Sequence, residues 1–299
     1  MSLLVEGSIA LDTVETPVRK AETVLGGSAV YFSAAAHRYT RVRLVGVVGE
    51  DFPPEHREFL ASMNVDASGL TVRPGETFRW HGRYQGAMNE AETVSVDLNV
   101  FGDFDPVLPE RFRDSEYVFL ANGAPQVQMK VLEQTSGPKL VVADTMNLWI
   151  ETQRPALDEL LSRIDVLCCN ENEARMLTGE HLIARAARKL TATGLKAAVV
   201  KKGEHGMTLA TPEAICALPA FPEENVADPT GAGDSFAGAM MGCLARSGKT
   251  DAAGLMLAAA NGIAMASFTV GGFGPRRIAD IPLERVEERV HQLRAICTF

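Results

Sequence analysis

The chain is short of basic charge. Its 29 Lys and Arg residues are outnumbered by 38 Asp and Glu residues, so its formal net charge is -9. An acidic surface repels both the phosphate backbone of nucleic acids and anionic membranes, and we therefore expect neither as a partner. An anionic ligand must then be held locally, by backbone amides, a few basic side chains and metal ions.

Cysteine is also scarce, and its pattern excludes two common roles. The five cysteines are odd in number and contain no CxxC pair: Cys168, Cys169, Cys216, Cys243 and Cys297. Neither a disulfide framework nor a zinc site fits this pattern, which instead suits a reducing cytoplasm. The N-terminal segment MSLLVEGSIALD lacks a basic stretch and contains Glu6, so it predicts a first strand rather than a signal peptide.

Long hydrophobic runs are nearly absent as well. Residues 252–270 are uncharged and apolar, but Ala and Gly dominate the run and Asn261 interrupts it. We expect a buried helix of a soluble protein there, and no membrane partner. With 299 residues, 46% of them hydrophobic and 22% charged, the chain can build one large globular domain.

Short segments rich in branched residues recur along the chain and alternate with helical patterns. The strand-like segments are LLVEGSIA, VRLVGVVG, EYVFLAN, KLVVAD, DVLCCN and KAAVVKKG. Between most of them, apolar residues recur at the three- and four-residue spacings of amphipathic helices. The alternation predicts an α/β fold with a doubly wound, mainly parallel sheet flanked by helices, and ligand sites beyond the carboxyl ends of the strands.

Two stretches break this alternation, residues 11–25 and 75–101. In the second, apolar residues alternate on either side of a polar turn at Asn89 and Glu90: Phe78, Trp80, Gly82 and Tyr84 before it, and Val94, Val96 and Leu98 after it. This pattern predicts a hairpin with one covered face. We interpret the two stretches as a small β lid inserted within a single domain of residues 1–299. The lid would either cover a substrate or pack as an edge, on itself or on a second copy in a homodimer.

Three short motifs resemble known sites but fail at a defining position. SGKT lacks the first glycine of a phosphate-binding P-loop, because Cys243 stands five residues before Gly248. GAGDSF has Phe236 where a dinucleotide fingerprint needs its third glycine. GDSFA has Ala237 where the nucleophile elbow of a hydrolase needs glycine. The sequence therefore favours none of these three functions.

The segment DPTGAGDSF, residues 228–236, places small residues and one acid at the start of a predicted helix. Backbone N–H groups there have no acceptor within the helix, and they lie at its positive end. Gly231, Ala232 and Gly233 would let a phosphoryl group approach these amides closely. Asp234 would then act either as a base that takes a proton from a neighbouring hydroxyl or as a simple helix cap.

This segment resembles the DTxGAGD signature of the ribokinase/PfkB family of carbohydrate and nucleoside kinases. Further family-like segments follow in order along nearly the whole chain: GSIALD with Asp12, GGS at residues 26–28, GVVGEDF at 46–52, NENE at 170–173, KKGEHG at 201–206 and AAANGIA around Asn261. Their co-occurrence is more specific than any single motif. The resemblance implies a doubly wound α/β domain with a β lid, and ATP as the phosphoryl donor.

The resemblance also implies roles on the nucleotide side. Asp234 is the implied general base, and the amides of Gly231, Ala232 and Gly233 would stabilise charge during phosphoryl transfer. The implied nucleotide contacts are Lys201, Gly203, Asn261 and again Gly231.

Two cation sites follow from the same resemblance. Asn170 and Glu173 match the NxxE motif that organises Mg²⁺ through water, although their spacing alone fits a capped helix. Asp228, together with the loop of residues 269–274, corresponds to a monovalent-cation site that would hold K⁺.

On the acceptor side, Asp12, Gly26 and Gly27 correspond to residues that contact substrate hydroxyls. Tyr31 is the fourth candidate, and it stands where the family usually has Asn. A phenol cannot supply the amide's paired donor and acceptor, which argues against a ribose-like set of contacts.

Other polar and aromatic residues are candidates for the same pocket. Trp80 and Tyr84 would stack on a base or sugar face, or simply pack the lid. Four residues near strand ends have no assigned role: Asn99, Asn122, Asp144 and Asn147. We therefore expect an ATP-dependent kinase that phosphorylates a hydroxyl of a small sugar. A nucleoside kinase is the first alternative, and a non-catalytic nucleotide or sugar sensor on the same fold is the second.

Overall fold

A nine-stranded sheet forms the centre of the protein, and the computed structural model describes residues 1–298. In chain order the strands are β1 (Leu3–Glu6), β2 (Ala10–Glu15), β3 (Lys20–Gly26), β4 (Val42–Gly49), β5 (Val65–Arg73), β6 (Phe78–Tyr84), β7 (Ala91–Asp97), β8 (Tyr117–Leu120), β9 (Leu140–Asp144), β10 (Val166–Asn170), β11 (Ala197–Lys201), β12 (Met207–Ala210) and β13 (Ile215–Leu218). The main sheet has the order β13-β12-β11-β10-β9-β8-β1-β4-β5. From β5 to β11 all neighbours pair in parallel, as the alternation predicts.

Helices cover both faces of this sheet. They are α1 (Ser28–Ala36), α2 (Pro54–Ser62), α3 (Pro125–Glu133), α4 (Asn147–Thr152), α5 (Arg154–Leu161), α6 (Glu171–Thr178), α7 (Ile183–Thr191), α8 (Ala232–Ser247), α9 (Ala252–Thr269), α10 (Arg276–Ala279) and α11 (Leu283–Ile296). Successive side chains of β1 face opposite ways, so Leu3 and Val5 join a core with α1, α8 and α9, while Leu4 joins a core with α5 and α7. The sheet is thus buried on both faces, which explains its continuous apolar runs.

Glycine allows α8 to pack closely against α1. A Cβ on Gly238 would overlap the carbonyl oxygen of Phe32, and one on Gly242 would lie 2.9 Å from the Tyr39 ring. On its other side α8 packs against α9, whose length and composition would suit a membrane span but which is two thirds buried. The apolar run of residues 252–270 is therefore a core helix, as its composition predicts.

A separate four-stranded sheet, in the order β3-β2-β6-β7, is called the lid below. Strands β6 and β7 form the predicted antiparallel hairpin, and β2 pairs with β6 in parallel. Its covered face is narrower than predicted, because β7 is an edge strand. Val94 and Val96 on β7 are 43% and 42% exposed.

The first predicted strand divides between the two sheets. β1 ends at Glu6 in the main sheet, and β2 begins at Ala10 in the lid. Gly7 lies at the crossing, where a Cβ would be 2.7 Å from both Ala121 Cβ and Ser28 Oγ. The sequence pattern also does not predict the antiparallel pair β12 and β13 at the sheet edge, because each strand has four residues and β13 is mostly exposed.

Candidate active site

The segment of residues 228–236 leads into α8, and the structure explains why it contains glycine at position 231. Gly231 precedes the helix with a φ of 74°, a left-handed conformation that favours glycine. A Cβ on Gly231 would also overlap the ring of Tyr31, which is 2% exposed. Tyr31 therefore supports this loop from within the core, and its contact with an acceptor stays a prediction.

Two of the three predicted amides are free to bind an anion. Among residues 1–298, the N–H groups of Gly231 and Gly233 have no protein acceptor, whereas that of Ala232 donates to the carbonyl of Pro229 at 3.1 Å. This corrects the predicted set of three amides, because the Ala232 amide closes the turn instead of facing a ligand. We call the free amides of Gly231 and Gly233 the anion hole.

Asp234 extends from the first turn of α8, next to the anion hole. It is half-buried, and its carboxylate accepts no hydrogen bond from a side chain or amide of residues 1–298. Burial, followed by the charge of Asp144, raises the pKa of Asp234 to about 6, while the charge of Lys201 opposes the increase. At neutral pH the carboxylate is ionised, yet it is a stronger base than an ordinary aspartate.

Lys201 brings a positive charge to the same place. Its Nζ lies 2.6 Å from Oδ2 of Asp144, and a Cβ on Gly233 would be 3.3 Å from that Nζ. Burial disfavours the ammonium, but the charge of Asp144, its hydrogen bond and the charges of neighbouring groups together outweigh burial and raise the pKa of Lys201 above its ordinary value. Strands β9 and β11 thus end in a buried ion pair beside the anion hole.

Asn170 and Glu173 form a capping box at the start of α6. Asn170 Oδ1 accepts from the N–H of Glu173 at 2.8 Å, while the Glu173 carboxylate accepts from the backbone N and Nδ2 of Asn170 at 2.7 and 2.6 Å. Burial, followed by the charge of Asp144, raises the pKa of Glu173 to about 8. Because both carboxylate oxygens are engaged, Glu173 suits contact with Mg²⁺ through water better than direct ligation.

The part of the chain that the structure describes contains no cluster of three His, Cys, Asp or Glu side chains that could hold a metal. Mg²⁺ fits this site as an ion that arrives with a nucleotide, since it keeps several waters and takes few protein ligands besides phosphates. Asp228 offers a different environment. It is fully buried, its Oδ1 accepts from the N–H of Thr230 at 2.9 Å, and its Oδ2 has no partner. An unpaired buried carboxylate oxygen suits a cation.

Asp12 on β2 is the acid on the acceptor side. It is 4% exposed, and its Oδ1 has no partner. A Cβ on Gly26 would overlap the Asp12 carboxylate, while Gly27 has a φ of 94° that side chains rarely adopt. Burial, with added repulsion from Asp228 and Asp234, raises the pKa of Asp12 to about 8. The structure therefore brings Asp12, Gly26 and Gly27 together near Asp234.

One face of the lid carries aromatic side chains next to Asp12. Trp80 on β6 pairs in register with Asp12 on β2, so the two side chains share a face. The Trp80 ring is half-exposed and lies over Gly82, where a Cβ would overlap it. On the same face the Tyr84 hydroxyl accepts a hydrogen bond from Thr230 Oγ1 at 3.3 Å. The lid thereby contacts the signature segment directly.

The turn of the lid hairpin contacts the loops on the nucleotide side. Asn89 Nδ2 donates to Glu204 Oε1 at 2.7 Å, and the N–H of Glu204 lies 3.4 Å from Asn89 Oδ1. Gly203 has a φ of 54°, and a Cβ there would be 2.8 Å from Asn89 Oδ1. Asn172, within the NENE segment, donates to Glu90. The lid therefore closes against both loops that the family resemblance assigns to the nucleotide.

The structure does not bring Asn261 into this group. It is 6% exposed within α9, where its Oδ1 accepts from the Tyr39 hydroxyl at 3.0 Å and its Nδ2 donates to the Leu257 carbonyl at 2.9 Å. Asn261 therefore fastens α9 to the segment after α1, and the geometry does not support the predicted nucleotide contact.

The remaining polar candidates have local partners. Asn99 donates to the Thr77 carbonyl at 3.0 Å, and Asn122 Oδ1 accepts from Trp149 Nε1 at 2.9 Å. Asn147 begins α4. These bonds order the loops after β7 and β8 without creating a free reactive group.

Comparison with known proteins agrees with this geometry. The sequence pattern of the pfkB family of carbohydrate kinases matches residues 3–280. The chain belongs to this family. The cytidine kinase of Thermococcus kodakarensis is 32% identical over 248 residues, which cover 81% of this chain and 87% of the relative. This pfkB family kinase is thus a phosphotransferase.

Solved structures support the same fold. The nucleoside kinase of Methanocaldococcus jannaschii superposes with a TM-score of 0.78 and 21% identity, over 97% of this chain and 98% of that one. A ribokinase II from E. coli, solved with ATP and Mg²⁺, has a TM-score of 0.79 and 20% identity, over 97% and 99%. Both neighbours share the ribokinase fold with this pfkB family kinase.

Three partnerships in this pfkB kinase site are not predicted from the sequence. They are Asp144 with Lys201, Tyr84 with Thr230, and Asn89 with Glu204. A signal existed for Asp144, because it is an acid at the carboxyl end of a predicted parallel strand, where ligand sites form. The two lid contacts join distant segments and leave no local pattern.

Proposed function

We propose that this chain is a Mg²⁺- and ATP-dependent nucleoside kinase. The observation that carries the proposal is the lid face that presents the half-exposed Trp80 ring one strand away from Asp12. An aromatic ring suits the flat face of a base, while a buried carboxylate suits sugar hydroxyls. The similarity to a cytidine kinase over most of both chains supports the same choice over the free sugar that the sequence alone favours.

The transfer begins at the acceptor hydroxyl. Asp234 takes the hydroxyl proton while the hydroxyl oxygen attacks the γ-phosphorus of ATP, and the bond from that phosphorus to the bridging oxygen of ADP breaks. The amides of Gly231 and Gly233 donate to the oxygens of the phosphoryl group in transit, and Lys201 adds a positive charge beside them. Asp234 afterwards releases its proton to solvent.

Asp12 positions the acceptor for this step. Its buried Oδ1 lacks a protein partner and would accept from, or donate to, a sugar hydroxyl, depending on its protonation state. Gly26 and Gly27 leave space around that carboxylate. Trp80 would stack on the base, so that a free sugar would lose this contact and bind more weakly.

The cations have supporting roles. Mg²⁺ would neutralise charge on the nucleotide phosphates, with Asn170 and Glu173 holding its waters. The unpaired Oδ2 of Asp228 supports a K⁺ site with the loop of residues 269–274, because the Val270 carbonyl accepts from the N–H groups of Ala227 and Asp228 and so fixes this loop there. Activity that rises with K⁺ is the expected consequence.

The proposal is tested by measuring ADP release from Mg²⁺-ATP with a panel of nucleosides and the matching free sugars. We expect nucleosides to accelerate release, and Trp80→Ala to raise KM for the nucleoside at least tenfold with a smaller effect on any sugar. If free sugars alone accelerate ADP release, the nucleoside assignment is contradicted and a sugar kinase is favoured. If nucleotide binds but no acceptor accelerates release, the sensor function is favoured instead.

A further inference from the structure

The ion pair of Asp144 and Lys201 lies next to the anion hole, and its charges act on the general base Asp234. The side chains are 7% and 18% exposed, and their charged atoms are 2.6 Å apart. A Cβ placed on Gly233, in the anion hole, would lie 3.3 Å from Lys201 Nζ. Asp234 follows Gly233 in the chain, and both charges of the pair affect its pKa.

Asp144 is held in place from several directions. Its Oδ1 accepts from the N–H of Thr145 at 2.9 Å. The fully buried Gln128 donates through Nε2 to the Asp144 carbonyl at 3.0 Å, and also to the carbonyls of Leu120 and Ala121. The carboxylate therefore keeps one position at the end of β9, while the long side chain of Lys201 depends on its partner for its own direction.

Asp234 is a second carboxylate whose pKa the charge of Lys201 affects, so it would compete for the ammonium if Asp144 were lost. A half-buried ammonium binds an available carboxylate strongly, and an ammonium bound to Asp234 would lower the basicity of that carboxylate. We propose that Asp144 is a positioning residue, which keeps Lys201 directed at the phosphoryl group in the anion hole and away from the general base Asp234. The inference rests on the proposed function, because it presumes that phosphoryl transfer occurs there.

Calorimetric titration with Mg²⁺ and a non-hydrolysable imido analogue of ATP tests the inference without an acceptor. The variants are Asp144→Asn, Asp234→Asn and the double variant. If Asp144 acted through its negative charge alone, its removal would tighten binding of a polyanion, and the two substitutions would have additive effects. We expect instead that Asp144→Asn weakens binding about tenfold, and that adding Asp234→Asn restores most of the loss. Additive effects, or undiminished binding by Asp144→Asn, would overturn the inference.

Two further variants control for unfolding and for general charge effects. Asp105→Asn breaks the exposed pair of Lys130 and Asp105, which has the same 2.6 Å separation, and it should leave binding unchanged. In a Lys201→Met background, Asp144→Asn should no longer weaken binding, since no ammonium remains to be redirected. A loss of binding there equal to that in the wild-type background would show a merely structural role.

The pH profile of kcat/KM provides a second readout. The titratable groups that face Asp234 are Asp144 on β9, Lys201 on β11, Glu173 on α6, Asp12 on β2, Tyr31 on α1, Tyr84 on β6 and Cys168 on β10. The acidic limb should move to lower pH in Asp144→Asn and to higher pH in Lys201→Met. The inference is contradicted if the acidic limbs of these two variants do not shift in opposite directions. The proposed function fails separately, if the wild-type protein binds the analogue but phosphorylates no acceptor.

Discussion

At the scale of single residues, burial sets the protonation of the acids in the site. The pKa of Asp234 is raised to about 6, whereas those of Asp12 and Glu173 are raised to about 8. At neutral pH the protein therefore holds an ionised base at Asp234 and a protonated acid at Asp12. Two environments that separate the pKa values of neighbouring carboxyl groups are typical of acid-base catalysis.

This difference predicts the pH dependence of the reaction. As the pH falls through about 6, Asp234 takes up a proton and can no longer accept one from the hydroxyl, so kcat/KM should fall about tenfold per pH unit. The pH profile of kcat/KM, which reports on ionisable groups of the free enzyme, is measured at saturating Mg²⁺. A profile without this limb would show that another group, or none, acts as the base.

Glu6 affects the pH dependence of the protein's stability. It is fully buried, both carboxylate oxygens lack partners, and burial raises its pKa from 4.5 to about 8. Between these values the folded chain binds a proton that the unfolded chain has lost, so Glu6 costs increasing stability as the pH rises through that window. Glu6→Gln should be more stable than the wild type at about pH 8.5, by up to a few kcal/mol, and nearly equal below about pH 4.5.

Denaturant unfolding at both pH values measures this difference. The exposed Glu133 serves as the control, since Glu133→Gln should change stability equally little at either pH. A Glu6→Gln variant that loses stability at the higher pH would show that the carboxylate has a partner in solution.

At the scale of elements, the hairpin of β6 and β7 depends on its turn. Asn89 forms its hydrogen bonds with Glu204, in the loop after β11, and these bonds bring the lid against the nucleotide side. Asn89→Ala should raise KM for both substrates by roughly three- to tenfold, because closure loses one full hydrogen bond, worth about 0.5–1.5 kcal/mol, and a marginal contact at 3.4 Å. Its thermal stability should barely change, as the residue is exposed.

Steady-state kinetics with both substrates measure this effect. Gln85→Ala provides the control, because Gln85 is exposed in the same turn and its side chain forms no hydrogen bond with residues 1–298. Equal KM values in Asn89→Ala and the wild type would mean that the lid closes without this contact.

At the scale of the whole molecule, the sequence predicts more of the fold than of the site. Buried parallel strands require continuous apolar runs, so the order of strands and helices is visible in a single chain. Gly231 is visible too, but the Tyr31 ring that requires it lies 200 positions earlier. The pair of Asp144 and Lys201, separated by 57 residues, likewise forms only when β9 and β11 flank β10. Such contacts depend on topology, which leaves no local signal.

The exposed edge strand of the lid is the predicted surface for a homodimer. Val94 and Val96 are exposed on its edge strand, so a homodimer through the lid stays a prediction. Val94→Lys should convert a dimer to a monomer in sedimentation velocity. Val107→Lys, at a more exposed valine outside the lid, should leave the dimer intact. A monomeric wild type at high concentration would contradict the predicted dimer.

The central claim is that Asp234 activates a nucleoside hydroxyl for attack on ATP. It is tested most directly by ADP release from Mg²⁺-ATP with and without nucleoside, in the wild type and in Asp234→Asn. We expect nucleoside-dependent release by the wild type and a loss of at least about a thousandfold in kcat for the variant, with binding of the ATP analogue retained. Turnover near the wild-type rate in Asp234→Asn would contradict it.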